Sequence, residues 1–200
     1  VSAAMARSED WRECRVALPA PHNWLVLDLR SEEPEAWART LAGEHLGGDV
    51  PEQLREALAT DLLWYWGAAV RLGALCAAVL APWNGPVVAS YTVRELTVPP
   101  EARTVEAFRA EVEQAQGPCF GDGQVLTEAE LPLGPALRVH RQEPTDPRAE
   151  HGTVVEGIAH YVLPLRYPTA LECRLLWTSL GLGAELIKVA DELADSLRLV

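Results

Sequence analysis

Polar and apolar positions alternate along this chain with two different periods, and the changes of period mark out its elements. Residues 1–12 follow neither period and read as a loose polar tail before a single domain over 13–200. A short strand near Cys14–Leu18 leads through a proline corner, Pro19-Ala20-Pro21, into a second strand. There Trp24, Val26 and Asp28 alternate with Leu25, Leu27 and Leu29. The helical period takes over at Ser31-Glu32-Glu33-Pro34, whose acidic groups and proline suit a first turn. Trp37, Ala38, Leu41, Ala42 and His45 give that helix its stripe, and Gly47-Gly48 closes it. A longer helix follows Asp49-Val50-Pro51, with Leu54, Leu58, Leu62, Tyr65 and Ala69 recurring every three or four residues until Gly73.

Strand-like patterns then dominate. Residues 74–81 and 87–97 are apolar runs joined through Pro82-Trp83-Asn84-Gly85-Pro86, which predicts a β-hairpin. Thr104 is placed to cap a short helix whose inner face is Val105, Phe108 and Val112. After the loop 117–123, residues 124–131, 136–142, 153–165 and 170–178 read as strands. The last sets Leu171, Cys173, Leu175 and Trp177 against Glu172, Arg174 and Thr178, the pattern of a sheet with one face on a core and the other in water. A helix over 184–197, apolar at Leu186, Ile187, Ala190, Leu193 and Leu197, closes the chain. Strands that arrive in consecutive hairpin-like runs predict an α+β fold, an antiparallel meander covered by helices, and not a doubly wound parallel sheet.

Composition narrows the roles. A formal charge of −12, with no three basic residues in a row, argues against a nucleic-acid partner. One lysine, Lys188, stands against sixteen arginines in a chain rich in Ala, Leu, Gly and Val, which reads as the codon bias of a GC-rich bacterial genome. Cys14, Cys76, Cys119 and Cys173 lie far apart and form no CxxC. Free thiols in a reducing cytoplasm are expected in place of a disulfide framework or a zinc site. The first residues show no basic-then-apolar pattern, so a cytoplasmic location is expected. Between Leu62 and Pro82 the only formal charge is Arg71; a central arginine opposes membrane insertion by about 3 kcal/mol. With Gly67 and Gly73 interrupting it, this stretch reads as the end of a buried helix running into a buried strand, and no membrane partner is expected.

The order of elements resembles the PsbP-like fold, named for a photosystem subunit and shared with a nuclear-transport factor that binds a small GTPase. The pieces that carry the resemblance are Leu18-Pro19 through Trp24-Leu25, a proline phrase opening the second strand, and Ala190-Asp191-Glu192-Leu193-Ala194-Asp195-Ser196-Leu197 in the last helix. The resemblance implies an α/β/α sandwich and a scaffold or partner-binding role of the kind expected for bacterial members, not an enzyme.

Candidate chemistry is sparse. His140 and His160 fall in strands that can be neighbours, and His151 sits among Glu143, Asp146 and Glu150, groupings that acid–base or metal chemistry would need to converge. Ordinary half-buried or solvated histidines are the simpler expectation. No nucleophile elbow or Cys–His signature occurs, and the glycines at 117, 121 and 123 lead into a strand, so they cannot cradle a phosphate at a helix N-terminus. No catalytic residue, cofactor or metal ligand is therefore assigned. Tryptophan is the informative residue, with seven in the chain. At about 100° per residue, Trp64 lies about 200° from Leu62, on the side of Thr60 and Arg71. Trp83 occupies a hairpin tip. Trp64, Arg71 and Trp83 are accordingly the expected anchors for a protein partner or for self-association. The alternative is a small-molecule-binding protein or enzyme with a pocket between sheet and helices.

Overall fold

The computed structural model describes residues 14–19, 23–48, 50–83, 85–114, 124–144, 153–163 and 169–199. The tail 1–12, the loop 117–123 and His151 with its neighbours Asp146 and Glu150 lie outside the described residues.

Glycine and proline act where the period changes. α1 (Pro34–Leu46) opens on its proline, and Gly47, at φ 74°, ends it. α2 (Glu52–Arg71) starts directly after Pro51 and stops before Gly73, whose φ of 66° turns the chain into β3 (Ala74–Leu80). Residues 62–82 are thus a helix end and a strand. Among the described residues no helix is long and apolar enough to cross a membrane. Thr104 caps α3 (Val105–Gln114), its Oγ1 accepting from the Ala107 N–H at 3.2 Å.

The remaining strands are β1 (Cys14–Arg15), β2 (Trp24–Val26), β4 (Ala89–Thr97), β5 (Val125–Leu131), β6 (Gly134–Pro144), β7 (Val154–Val162), β8 (Thr169–Trp177) and β9 (Arg198–Leu199). Of the nine strands among the described residues, seven form one sheet in the order β2-β3-β4-β8-β7-β6-β5, every neighbour antiparallel. The meander β5 to β8 docks on the β3–β4 hairpin through a ladder that runs from Ala89 opposite Trp177 to Thr97 opposite Thr169. β1 and β9 pair separately.

Helices cover both faces. α4 (Gly183–Ser196) buries Leu186, Ala190 and Leu193 on one face, against Tyr91, Val93, Leu171, Cys173, Leu175 and Trp177. On the other face α1 and α2 pack over Leu25, Ala77 and Val79 at one end, and α3 packs over Leu137, Val139 and Ala170 at the other. The α+β antiparallel sandwich expected from the patterning is what the chain forms.

One expectation about faces fails. Leu171, Cys173, Leu175 and Trp177 do face a core, but Glu172 on the opposite side is only 3% exposed. Helices pack over the two ends of that side, and between them Glu172 is ion-paired with Arg94 and stands opposite Tyr161 of β7. Alternation of apolar and polar residues identified the two faces correctly and mistook a charge-paired interior for a water-facing one.

Candidate functional site

α2 and α3 sit at opposite ends of their shared face, and a cavity of about 220 Å³ lies beside α2 over the middle of the sheet. Its floor comes from β4 and β8, where Ser90 stands opposite Leu176 and Thr92 opposite Arg174. Its wall is one flank of α2, built from Trp64, Tyr65, Ala68 and Leu72. These four share a flank because positions separated by three, four, seven and eight residues return to one side of a helix. Val88 and Val155 extend the apolar lining, while Glu172 and Arg174 give it a polar end.

The polar end is an electrostatic strip across three strands. Arg94 pairs with Glu172, and Arg174 reaches Glu143 at 3.4 Å, where Arg141 also binds at 2.6 Å. Burial pushes the Tyr161 phenol up to about 12, with the neighbouring Glu172 charge adding to it. On α2, burial raises the Asp61 carboxyl, and burial together with that carboxylate raises the phenol of the wall residue Tyr65. Trp64 meets Tyr65 edge to face, ring centroids 4.8 Å apart, and is nevertheless 64% exposed.

This places the three expected anchors apart. Trp64 is exposed, but it rims the cavity between α2 and the sheet and does not look away from the sheet. The helical-wheel estimate failed because α2 lies beside uncovered sheet and not centred upon it. Its flank, as well as its buried stripe of Leu58, Leu62 and Ala69, therefore overlooks the strands. Arg71 is exposed and Trp83 is 62% exposed, yet neither lines the cavity. Trp83 instead leans on the end of α1, its ring 6.0 Å from that of His45.

The histidines in strands are each claimed by a carboxylate on the α4 side. His140 Nε2 lies 2.8 Å from Glu156 Oε1, and the Trp177 Nε1–H donates to the other oxygen of Glu156 at 2.9 Å. His160 Nε2 lies 3.0 Å from Asp191 Oδ1, to which the Arg138 guanidinium also donates at 2.8 Å. Burial opposes ionisation of Asp191, but the hydrogen bonds from His160 and Arg138 and the Arg138 charge outweigh it and hold the carboxyl low. Cross-strand register puts His140 opposite Ile158 and His160 opposite Arg138, so the two histidines do not face one another. The His160–Asp191 pair fastens α4 to the sheet, whereas His140 and Glu156 tie β6 to β7 beneath the start of that helix. A Cβ on Gly183 would come within 2.8 Å of Glu156, so glycine at this position lets the helix start against the buried carboxylate. Among the described residues no group of three His, Cys, Asp or Glu side chains is placed to hold a metal ion.

Sequence reasoning missed Glu156 and Glu172 as buried groups. The signal was present in Val154-Val155-Glu156-Gly157-Ile158 and Leu171-Glu172-Cys173, single carboxylates inside apolar runs. Compared with known proteins, the chain matches no protein-family model and no curated protein sequence.

Proposed function

We infer that this chain is a non-enzymatic binding module, and that its cavity beside α2 receives an apolar anchor from a protein partner. The observation that carries this reading is the cavity with the exposed Trp64 on its rim. At about 220 Å³ it falls below the roughly 300–1,000 Å³ of pockets that enclose a whole drug-sized ligand, and it suits one or two side chains of a docked segment. Tryptophan at a rim gains most when a partner desolvates it. The chain's charge of −12 favours a partner with basic residues around its anchor and disfavours a second copy of itself. The free thiols fit a reducing, cytoplasmic setting, and the three-layer arrangement fits kinship with the PsbP-like fold.

A random-peptide display library selected on the wild-type chain, and counter-screened on an Ala68→Trp variant that fills the cavity, tests the reading. Expected are peptides with an aromatic or aliphatic anchor flanked by Lys or Arg, bound by the wild type and lost on Ala68→Trp. Peptides that bind both proteins equally would sink it. The polar end at Thr92 and Arg174 supports a second reading, a small amphipathic ligand. A fragment screen by thermal shift in which hits vanish on Ala68→Trp, with no peptide enriched, would favour that one.

A further inference from the structure

The cavity beside α2 is apolar along its helical wall and charged at one end, where Glu172 and Arg174 are the two charged side chains that line it. Their charges are not equally committed. Glu172 is ion-paired with Arg94. Arg174 has Glu143 alone among the described residues, at 3.4 Å, and Glu143 is held more closely by Arg141 at 2.6 Å. Two carboxylates thus serve three guanidinium groups, which leaves the strip one positive charge in a chain whose total is −12. The surplus falls at Arg174, which has the longest of these contacts. Strand register supplies a second donor beside it. Thr92 of β4 stands directly opposite Arg174 of β8 in the same lining, while on the other side Arg174 meets only the small Ala159 of β7. Directly opposed side chains lie about 5 Å apart at Cβ, a spacing at which a hydroxyl and a guanidinium reach the two oxygens of one carboxylate.

We propose, on the reading that the cavity seats a partner's apolar anchor, that Arg174 and Thr92 form its carboxylate-binding end and that the anchor is the partner's C-terminal residue. That residue is apolar in its side chain and free at its α-carboxylate. A chain terminus carries both groups on one Cα, which matches a small cavity with an apolar wall and an arginine at one end. Capture of a terminal carboxylate by fixed donors is a recurring way of recognising a chain end. Arginine suits the task because its planar fork meets two oxygens at once. An internal segment would bring no anion and would cover the surplus charge of Arg174 without answering it. A free amphipathic acid would bring the anion but would approach a chain of charge −12 with nothing to offset the repulsion. A terminus preceded by Lys or Arg carries its own offset. Trp64 and Leu72, 64% and 46% exposed on the rim, are then covered by the residues that precede the terminus.

The test selects random heptapeptides on the full wild-type chain from two display libraries, one with free C-termini and one closed at both ends by fusion. Expected is enrichment, from the first library, of peptides that end in an aliphatic or aromatic residue behind Lys or Arg. Synthesised as free acids, these should bind about tenfold more tightly than as C-terminal amides in fluorescence anisotropy, the scale of a charge-assisted hydrogen bond. Arg174→Gln should bring the acid down to the level of the amide, Arg174→Lys should restore part of the difference, and Ala68→Trp should abolish binding of both. The acid–amide comparison on the wild type decides the matter even where a variant folds poorly. Acid and amide bound alike, or enrichment from the closed library alone, would overturn the terminal carboxylate and leave the cavity as an anchor site. Enrichment from neither library would overturn both readings, and Arg174-dependent binding of sodium octanoate in that case would give the cavity to a small amphipathic acid.

Discussion

Removing the Glu172 carboxylate tests the electrostatic account of the sheet's second face. Glu172 is 3% exposed and its partner Arg94 is 26% exposed at the side chain. Breaking a fully buried pair by deleting one member costs about 3–5 kcal/mol, because the survivor is left charged and unpaired. Arg94 keeps about a quarter of its surface in water, so part of that penalty is relieved by hydration. Tyr161, directly opposite Glu172 across β7 and β8, also loses its neighbouring carboxylate. We expect Glu172→Ala to lower unfolding stability by about 2 kcal/mol, read from the urea midpoint at unchanged slope. The Glu172→Leu, Arg94→Leu double variant should recover a substantial part of the loss, since replacing both charges by apolar groups removes the unpaired survivor. A loss below about 0.5 kcal/mol, the usual scale for a surface substitution, would return Glu172 to solvent and refute the reasoning.

Other outcomes follow from the same packing. Leu175, 1% exposed under α4, should cost about 2–5 kcal/mol on truncation to alanine in the same urea assay. Gly157→Ala should be destabilising, since its Cβ would meet the Leu176 side chain and would come within 3.0 Å of the Leu175 carbonyl oxygen; an unchanged melting temperature would contradict that contact. Asp191, whose folded pKa is held low, contributes stability above the ordinary aspartate range that is lost as pH falls through the folded value. Acid titration followed by circular dichroism should show that Asp191→Asn removes part of the wild type's stability loss on acidification. Trp64→Ala should leave the melting temperature nearly unchanged and abolish binding of the selected peptides; a large fall in melting temperature would make it a core residue.

The legible part of this fold was its one-dimensional order. Stripes at Leu58, Leu62 and Ala69 and at Leu186, Ala190 and Leu193 announced two helices, and both bury those residues. Alternation in 170–178 assigned side chains to the correct faces. What the sequence could not carry was the offset of α2 from the sheet centre, because a helical wheel gives direction around an axis and says nothing about where that axis sits. Trp64 was therefore singled out for a sound reason, exposure, and placed on the wrong side. The carboxylates at 156 and 172 were obscured because their partners lie elsewhere in sequence: Trp177 and His140 for one, Arg94 for the other.

That same distribution of charge explains why the cavity exists. α1 and α2 close over Leu25, Ala77 and Val79, and α3 closes over Leu137 and Val139, because those strand positions are apolar. Between them the cross-strand rows read Ser90–Leu176, Thr92–Arg174 and Arg94–Glu172, so a helix laid across the middle would gain one leucine and would have to desolvate hydroxyls and charges. Helices settle over the apolar ends, and α2 is left with Trp64 and Leu72 overhanging a floor it does not cover. Both side chains remain substantially exposed, an arrangement that folding alone does not require and that burial by a partner would relieve. The polar rows that keep the helices apart are thus also what keeps the binding surface available.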